Sequence, residues 1–374
     1  MQKLSKELVI GKYHCCFSTM STLKPGFSIV ICCYNSASRI TETVGYLKKL
    51  KTKGFGFEII VVDNNSSDNT YQIAIDISST TTEAEVRVVR ETTAGKTYAL
   101  ISGIRTVFYE YIVVCDDDNL LHEDYLLIAW QVMQGNRRIG ILGGRGMIHS
   151  DAVIPAWFSS LENAWAVGRQ GEQSGEVGNL PKAVWGAGMI IRTVAWNEVF
   201  ASGFRRFLTG RKMENVAMAG EDTELCILIN ALGYTIHYEE RMWYFHQIQK
   251  SRLSWKSLKS LWEGFARSSV YFEMYTFVFS QERGLNTGDV RRKFKMEFYE
   301  NIRAFLSSSS LVNFLKIIYI AFIEDRPGYL PGLEKRKYLY RLKELLRIRR
   351  SYRECIQTIS KFNPRKLQQS PKHK

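Results

Sequence analysis

The stretch YIVVCDDDNLL, Tyr111 to Leu121, joins a strand-like run to three consecutive aspartates. Its first residues are apolar, aromatic or β-branched, which is typical of a strand inside a sheet. Asp116, Asp117 and Asp118 then follow within one turn of chain, where like charges repel one another. A bound cation or ligand would compensate the repulsion, although solvated surface turns also hold such runs cheaply. The three aspartates alone leave both alternatives open.

Strand-like and helical patterns alternate on either side of this stretch. The other short apolar runs are FSIVICC (27–33), FEIIVV (57–62), EVRVV (85–89) and IGILGG (139–144). Strands separated by helices predict parallel βαβ units and therefore an α/β fold. Ligands of such sheets bind beyond the carboxyl ends of the strands. Three polar clusters fall there, namely CYNS (33–36), DNNSSDN (63–69) and DDDN (116–119).

Composition predicts a globular chain with an uneven charge. With 374 residues, 45% of them hydrophobic, the chain can bury a large core. Residues 1–240 carry 23 Lys and Arg against 26 Asp and Glu, whereas residues 241–374 carry 28 against 11. The net charge of +14 therefore comes from the last third of the chain.

The cysteines and apolar runs indicate a cytoplasmic protein. The seven cysteines, which include Cys15 and Cys16, are odd in number and form no CxxC pair, as expected of reduced thiols. The N-terminal residues lack the continuous apolar run of a secretory signal. The longest apolar run, Leu311 to Ile323, is too short to span a membrane.

The region from about Ser254 onward reads as basic amphipathic helices. Such helices commonly lie on anionic membrane surfaces, which suggests a peripheral position on the cytosolic face, although a solvated helix face is the ordinary alternative. No nucleic-acid partner is expected, because the sequence contains no recognition motif. Nothing in the sequence predicts an oligomeric state.

Six motifs in a fixed order resemble those of the family 2 glycosyltransferases of GT-A fold. They are FSIVICCYNS, FEIIVVDNNSSDNT, AGKTYALISGI, YIVVCDDDN, WGAGMIIR and GEDTEL, and the resemblance covers about residues 27–255. Cys33 stands where the family usually has proline, and Ile101 where it often has asparagine. The resemblance implies a Rossmann-like, mostly parallel sheet with flanking helices over residues 27–253. An N-terminal extension (1–26) would precede it, and a helical C-terminal region (254–374) would follow.

The resemblance assigns a metal site to the aspartate run. Asp116 would lie near the ribose and the metal, Asp118 would be a direct ligand, and His246 would complete the metal shell. Asp117 would belong to the nucleotide-sugar site. Carboxylate oxygens suit Mn²⁺ or Mg²⁺ already bound to phosphates. A lone histidine near aromatic residues is otherwise usually structural.

Further donor-binding residues follow from the same resemblance. Asp63 would accept the imide N–H of uracil, with Asn35 lining the same pocket. Lys96 and Arg252 would face the diphosphate. The structural alternative for the segment after Asp63 is an N-cap, supplied by Ser67 or Asp68, for a helix starting near Thr70. Both can hold together.

The GEDTEL motif would supply the catalytic base. By resemblance Asp222 takes the proton of the acceptor hydroxyl, and Glu221 supports it. Acids also stabilise a helix N-terminus electrostatically, so a structural role is an alternative. In WGAGMIIR, the aromatic Trp185 and the flexible Gly186 and Gly188 would contact the acceptor sugar, while core packing is the competing role of Trp185.

These residues together predict an inverting, divalent-metal-dependent glycosyltransferase. It would move a sugar from a nucleotide diphosphate donor, with UDP expected, to a hydroxyl of a glycan or lipid-linked acceptor. A sugar-phosphate nucleotidyltransferase is the enzymatic alternative, but it would need a Gly-rich basic loop after the first strand, where CCYNSAS stands. The other alternative is a non-catalytic module of this fold that binds membrane or nucleic acid.

Overall fold

The structure is a computed structural model that describes residues 23–80, 84–178, 181–203, 206–208, 218–281 and 285–362. Cys15, Cys16 and most of the predicted N-terminal extension lie outside the described residues. So do the last twelve residues of the predicted C-terminal region. The five cysteines among the described residues are free thiols, in line with the prediction.

Nine strands form one mixed sheet in the order β3-β2-β1-β4-β8-β6-β9-β5, with β7 paired to β9. The strands are β1 (Lys24–Cys33), β2 (Gly56–Asp63), β3 (Glu85–Arg90), β4 (Tyr109–Asp116), β5 (Asn119–Leu121), β6 (Ile139–His149), β7 (Gly175–Glu176), β8 (Met189–Arg192) and β9 (Thr235–Gln247). Strands β1 to β4 are parallel, β8 runs antiparallel between β4 and β6, and β9 is parallel to β6. The predicted α/β sheet is confirmed, with antiparallel pairs in its second half.

Helices cover both faces of the sheet. They are α1 (Ile40–Leu47), α2 (Thr70–Ser79), α3 (Lys96–Ile104), α4 (Tyr125–Gly135), α5 (Thr193–Ala201), α6 (Glu221–Ala231), α7 (Trp255–Phe279), α8 (Thr287–Leu306), α9 (Leu311–Ile318), α10 (Leu330–Ile348) and α11 (Tyr352–Lys361). A π-helical turn, Tyr319–Glu324, continues α9. Side chains alternate across a strand, so Val30 enters the core on one face while Ile29 and Ile31 enter the core on the other.

The register of the sheet brings the polar clusters together. Cys33 of β1 pairs with Asp63 at the end of β2, and Cys32 pairs with Asp116 at the end of β4. Because these strands are parallel, the loops that follow them meet at one edge. On the far side of the aspartate run, Asn119 of β5 pairs with His246 of β9. The topology therefore places the aspartates between the loops that follow β1 and β2 and His246 of β9.

The C-terminal helices were predicted and are confirmed, and they pack against the sheet domain. Val270 and Tyr275 of α7, Leu345 of α10 and Phe362 belong to the same buried cluster as Val30 of β1. Helix α7 begins after Ser254, whose hydroxyl accepts a hydrogen bond from the backbone N–H of Ser257 at 3.2 Å. The chain that follows residue 253 therefore completes the core.

Several cations of this basic region are internal. Arg341 is 6% exposed and binds Asn301 and Glu273, while Lys335 is 8% exposed and donates to the carbonyl of Ala304. Glu344 is fully buried and pairs with Arg267. The sequence pattern alone treated such cations as a surface feature, because it does not show their buried partners.

Among the described helices, none is by itself long and apolar enough to cross a membrane. One bent pair, Thr287–Leu306 with Leu311–Glu324 at 94°, meets the length and composition requirement jointly.

Candidate active site

A cavity of about 650 Å³ opens at the carboxyl ends of β1 and β4. Five acidic and four basic side chains line its walls. The acids are Asp116, Asp117, Asp118, Glu221 and Asp222, and the cations are Arg39, Lys96, Arg206 and Arg252. Ten of the thirteen predicted site residues line this cavity, and the three that do not are Asn35, Asp63 and Gly188.

Asp116 is the last residue of β4, and its carboxylate faces Lys96. Oδ1 of Asp116 lies 2.5 Å from Nζ of Lys96, which stands at the start of α3. Burial by itself would lower the pKa of Lys96, but the carboxylates of Asp116 and Glu221 outweigh it and raise that pKa. Lys96 is therefore a permanent cation inside the cavity. It was predicted to face the diphosphate, and in the structure it pairs with Asp116, which was predicted to lie near the metal.

Asp117 points towards α1. Its carboxylate accepts hydrogen bonds from the hydroxyl of Ser36 and from the guanidinium of Arg39, and its carbonyl accepts one from Thr43 at 2.8 Å. Burial and the neighbouring Asp118 raise the pKa of Asp117 despite these donors. Asp117 thus fastens the aspartate loop to the loop after β1, and Arg39 is a lining cation that the sequence reasoning missed.

Asp118 and His246 form the core of the candidate metal site. Oδ2 of Asp118 lies 3.4 Å from Nε2 of His246 and accepts a 2.8 Å hydrogen bond from Nη1 of Arg252. Burial alone would raise the pKa of Asp118, but His246, Arg252 and Lys96 lower it well below its usual range. The Asp118 carboxylate is consequently ionised over the whole working pH range.

The second nitrogen of His246 fixes the ring. Nδ1 lies 2.6 Å from the carbonyl oxygen of Trp165, so Nδ1 donates its proton to that oxygen, and Nε2 is turned towards Asp118. Metal-binding histidines generally make such a bond with the nitrogen that does not bind the metal.

These donors fit a divalent cation. Two ligands of one ion at metal–ligand distances near ~2.1 Å stand roughly 3 Å apart, close to the 3.4 Å between Asp118 and His246. Asp116 does not complete a three-donor cluster in the part of the chain that the structure describes, because its carboxylate is turned to Lys96. Of the three predicted metal-site residues, Asp118 and His246 are thus in contact, whereas Asp116 pairs with Lys96.

Asp222, the predicted base, stands in the first turn of α6. Its Oδ2 accepts a 2.8 Å hydrogen bond from the backbone N–H of Gly186, and Oδ1 accepts one of 2.7 Å from Thr223. Burial and the adjacent Glu221 raise the pKa of Asp222, against the lowering effect of these donors and of Lys96. A raised pKa makes a carboxylate a better proton acceptor near neutral pH. The Asp222 carboxylate thus accepts two backbone hydrogen bonds and also lines the cavity, and its catalytic role stays a prediction.

Glu224, two residues further along in the same first turn of α6, was missed by the sequence reasoning. It is fully buried and accepts hydrogen bonds from the backbone N–H of Phe207 (2.8 Å) and Leu208 (3.1 Å). Its carboxylate also lies 3.3 Å from Nε of Arg206 and accepts a 2.6 Å hydrogen bond from the hydroxyl of Tyr275. Glu224 holds the start of α6 against α7, and thereby positions Asp222.

The predicted nucleotide residues are divided between the cavity and the layer beneath it. Asp63 is fully buried, its Oδ2 lies 3.7 Å from Nε of Arg90, and that oxygen has no hydrogen-bond partner among the described residues. Asn64 lines the cavity next to it. Asn35 accepts a 2.9 Å hydrogen bond from the backbone N–H of Ser67 and so joins the loops after β1 and β2.

The residue before α2 is Asn69, whose side chain makes no capping hydrogen bond, and the predicted caps Ser67 and Asp68 lie just before it. Oδ1 of Asp68 accepts a 3.0 Å hydrogen bond from the backbone N–H of Thr70, the first residue of α2. Asp68 therefore supports the helix start while Asp63 lies in the strand below.

The WGAGMIIR motif has two different roles. Trp185 is half-buried in the cavity wall, its backbone N–H donates to Oε1 of Gln170 at 2.6 Å, and Gly186 lies beside it. Gly188 has φ 68°, and a Cβ there would lie 2.6 Å from the hydroxyl of Tyr125. Gly188 is therefore required by the backbone and by close packing under the cavity, where the sequence reasoning had placed an acceptor contact.

Helix α7 forms an apolar wall of the cavity. Leu261, Phe265 and Phe272 line it, opposite the strand-end residues. The sequence reasoning assigned this helix to a separate C-terminal region. Its amphipathic pattern was visible, but a pattern does not show what the apolar face covers.

A sequence model of the glycosyl transferase family 2 matches residues 28–198. The poly-beta-1,6-N-acetyl-D-glucosamine synthase of Staphylococcus epidermidis is 27% identical over 143 residues, which is 38% of this chain and 34% of the synthase. The synthase of the same name from Staphylococcus aureus is 25% identical over the same length. This chain thus spans about a third of the length of the curated relatives it matches.

Solved structures agree in fold. The mannosyltransferase PcManGT from Pyrobaculum calidifontis, solved with GDP-Man and Mn²⁺, covers 94% of this chain and 89% of its own at 15% identity and a TM-score of 0.51. TarS 1-349 of S. aureus, solved with UDP-GlcNAc, covers 92% and 91% at 16% identity and a TM-score of 0.48. Residues 28–198 therefore match the sequence model of this family, and the fold is of GT-A type, as the order of the sequence motifs predicted.

Proposed function

We propose that this protein is an inverting, divalent-metal-dependent glycosyltransferase with a UDP-sugar donor. The observation that carries the proposal is the cavity in which Asp118 and His246 meet on one side and Asp222 stands on the other. The match to the glycosyl transferase family 2 model supports transfer of a sugar. The metal-ligand atoms that Asp118 and His246 offer support Mn²⁺ or Mg²⁺ as the cofactor.

The donor diphosphate would lie between two cations. Lys96 and Arg252 line the cavity and now pair with Asp116 and Asp118 respectively. Asp118 and His246 would hold the metal, which when bound supplies Lewis-acid stabilisation of the departing diphosphate. The uracil would lie towards Asn64, above the buried Asp63 whose Oδ2 lacks a hydrogen-bond donor among the described residues.

Asp222 would accept the proton of the acceptor hydroxyl as its oxygen attacks the anomeric carbon. The backbone N–H of Gly186 and of Thr223 orient the carboxylate, and burial keeps its basicity high. A single base suffices for displacement with inversion, so no second carboxylate nucleophile is needed. Glu221 would act by raising the pKa of Asp222.

The acceptor would be a glycan or a lipid-linked sugar at the cytosolic face of the membrane. The relatives named as poly-beta-1,6-N-acetyl-D-glucosamine synthases support a polysaccharide product. Trp185 and the apolar wall of α7 would cover the acceptor side of the cavity, since aromatic faces suit the apolar faces of sugars.

A donor panel tests the proposal directly. UDP-GlcNAc, UDP-Glc, UDP-Gal and GDP-Man would each be titrated into the protein by calorimetry with Mn²⁺, with Mg²⁺ and with EDTA. One UDP-sugar is expected to bind tightly only with metal and to be hydrolysed slowly without acceptor. Equal binding in EDTA would contradict the metal requirement, and a GDP-sugar as the best ligand would contradict the nucleotide.

A further inference from the structure

Helix α9 and the π-helical turn after it present a row of large apolar side chains to solvent. With the last residue of α8 they form what we call the apolar ridge. Its members and their exposed fractions are Leu306 (56%), Leu311 (71%), Val312 (75%), Leu315 (57%), Tyr319 (55%) and Ile323 (71%). Positions 311, 315, 319 and 323 recur every fourth residue and therefore share one face of the helix.

The opposite face of the same helix is packed against the protein. The ring of Phe314 lies 5.9 Å from that of Phe305, and Ile320 and Ala321 are buried beside Gly332 of α10. The segment therefore has apolar side chains on its packed face and also along the exposed ridge, whereas a surface helix usually has a polar outer face. A contiguous exposed ridge of this kind marks an interaction surface.

The surroundings of the ridge are cationic and polar. Arg303 lies exposed three residues before Leu306 on α8, Lys316 lies exposed within α9, and Lys295 lies exposed eight residues before Arg303 on α8, with the 65% exposed Tyr299 between them. These three cations make no ion pair with any described residue. Residues 287–323 contain six Lys and Arg against three Asp and Glu. A second copy of the chain would bring like charges together, so self-association through the ridge is disfavoured.

A polar depression borders the ridge. It has a volume of about 410 Å³, and its lining includes Ser307, Ser308, Ser309, Asn313, Lys316 and Tyr329. Hydroxyl and ammonium groups next to an apolar ridge match the layering of a phospholipid surface, in which phosphates lie above the acyl chains.

We propose that the segment from Leu306 to Ile323 docks the protein on an anionic phospholipid membrane. The ridge enters the boundary between headgroups and acyl chains, and Lys295, Arg303 and Lys316 contact headgroup phosphates. Helices α7, α10 and α11 stay packed in the core. The membrane contact is thus confined to one short segment of the basic C-terminal region.

The docking segment is tied to the cavity wall. Asp325, directly after it, pairs with Lys259 of α7, and a Cβ at Gly328 would lie 3.0 Å from Cβ of Trp157. The Trp157 ring lies 5.9 Å from that of Trp165, whose carbonyl orients His246. A membrane bound at the ridge is therefore linked through these contacts to the metal side of the cavity.

Vesicle co-sedimentation of the full chain tests the proposal. Vesicles of phosphatidylcholine with phosphatidylglycerol would be compared with pure phosphatidylcholine at low and high salt. The native protein is expected to bind the anionic vesicles at least about tenfold more tightly, and high salt should release part of it. Native protein that ignores anionic vesicles at low salt overturns the proposal.

Matched substitutions locate the contact. Val312→Ser in the ridge is compared with Val153→Ser, which replaces a 93% exposed valine in the loop after β6. Val312→Ser and the triple variant Leu311→Ser, Val312→Ser, Leu315→Ser should weaken vesicle binding, the triple by about tenfold or more, and Val153→Ser should not. Lys295→Gln with Arg303→Gln and Lys316→Gln should remove the preference for anionic lipid.

Thermal unfolding and donor hydrolysis without vesicles control for misfolding, and both should match the native protein in every variant. Equal vesicle binding by the triple variant overturns the proposal. A native dimer that the triple variant dissociates, without vesicle binding by either, would assign the ridge to a second copy and also overturns it.

Discussion

The hydroxyl of Tyr275 donates a 2.6 Å hydrogen bond to Oε1 of Glu224, deep in the protein. Tyr275 belongs to α7, which the sequence placed in a C-terminal region, and Glu224 lies two residues after Asp222 in the first turn of α6. Through this bond the C-terminal helix supports the helix that carries the predicted base.

We expect Tyr275→Phe to impair catalysis through the position of Asp222. Removing the hydroxyl leaves one acceptor site of the buried Glu224 unfilled, at a cost of about 1–2 kcal/mol in the free energy of unfolding. The turnover rate should fall more than donor affinity. Tyr271→Phe is the matched control. Tyr271 lies on α7 like Tyr275, but its hydroxyl donates at 3.0 Å to Glu344 of α10. Equal loss of turnover in both variants would show that only stability is affected.

Asp118→Asn should abolish metal-dependent donor binding while the fold is retained. The amide is a poor ligand for a divalent cation and no longer balances Arg252, but it fills the same volume. Calorimetry of the donor with Mn²⁺ and with EDTA measures the difference, which should vanish in the variant. Native turnover that is unchanged in EDTA would argue against a metal at Asp118 and His246.

Asp222→Asn should lower the turnover rate by about 10²- to 10⁴-fold, the usual contribution of a general base. Donor affinity should change little, because the base acts on the proton of the acceptor. The amide oxygen can still accept from the backbone N–H of Gly186, which preserves the loop. If donor affinity falls as steeply as turnover, Asp222 has a structural role instead.

Turnover should rise with pH through the pKa of Asp222 and then level off, because only the ionised carboxylate accepts a proton. Burial first, and the charge of Glu221 second, raise this pKa above its usual value. Glu221→Gln removes the second cause, so the acidic limb of the kcat/KM profile should move to lower pH. If the acidic limb of the kcat/KM profile does not move in Glu221→Gln, that limb reports the titration of a group other than Asp222. Asp118 is not the group that titrates in the acidic limb, because its pKa is lowered.

Truncation before Val290 should give aggregated protein. It removes α8, α10 and α11, whose residues Val290, Leu345 and Phe362 share the core with β1. Loss of such a large buried surface exceeds the net stability of a typical domain. Size-exclusion chromatography and donor hydrolysis provide the measurement. A monomeric fragment with slow hydrolysis would instead establish residues 23–289 as an independent unit.

The sheet edge of the site could be predicted from the sequence, because polar runs after parallel strands must meet. Asp118 and His246 are in contact as the resemblance implied, and Asp222 faces the cavity. Their roles remain predictions. Asp116 was expected near the metal and is held by Lys96, a side-chain pairing across 20 residues that no local pattern encodes.

Other parts of the site depend on long-range packing. The wall of α7, with Phe265 and Phe272, comes from chain far beyond the recognised motifs. Glu224 looked like one more acid at a helix start, and only its burial against Arg206 and Tyr275 distinguishes it. Gly188 was expected at the acceptor, but its positive φ and the nearby Tyr125 explain it. Local periodicity carries no information on such partners.

The buried cluster that joins Val30 to Phe362 has a consequence for biosynthesis. A ribosome delivers residue 30 early and residue 362 near the end of the described chain, at about 5–20 residues per second. During that interval the nascent sheet exposes the apolar surface that α7, α10 and α11 later cover. Helix α7, which walls the cavity, is therefore made after every described strand, and the fold cannot be completed until α10 and α11 also emerge. A chaperone that holds the unfinished chain would raise the yield of active protein.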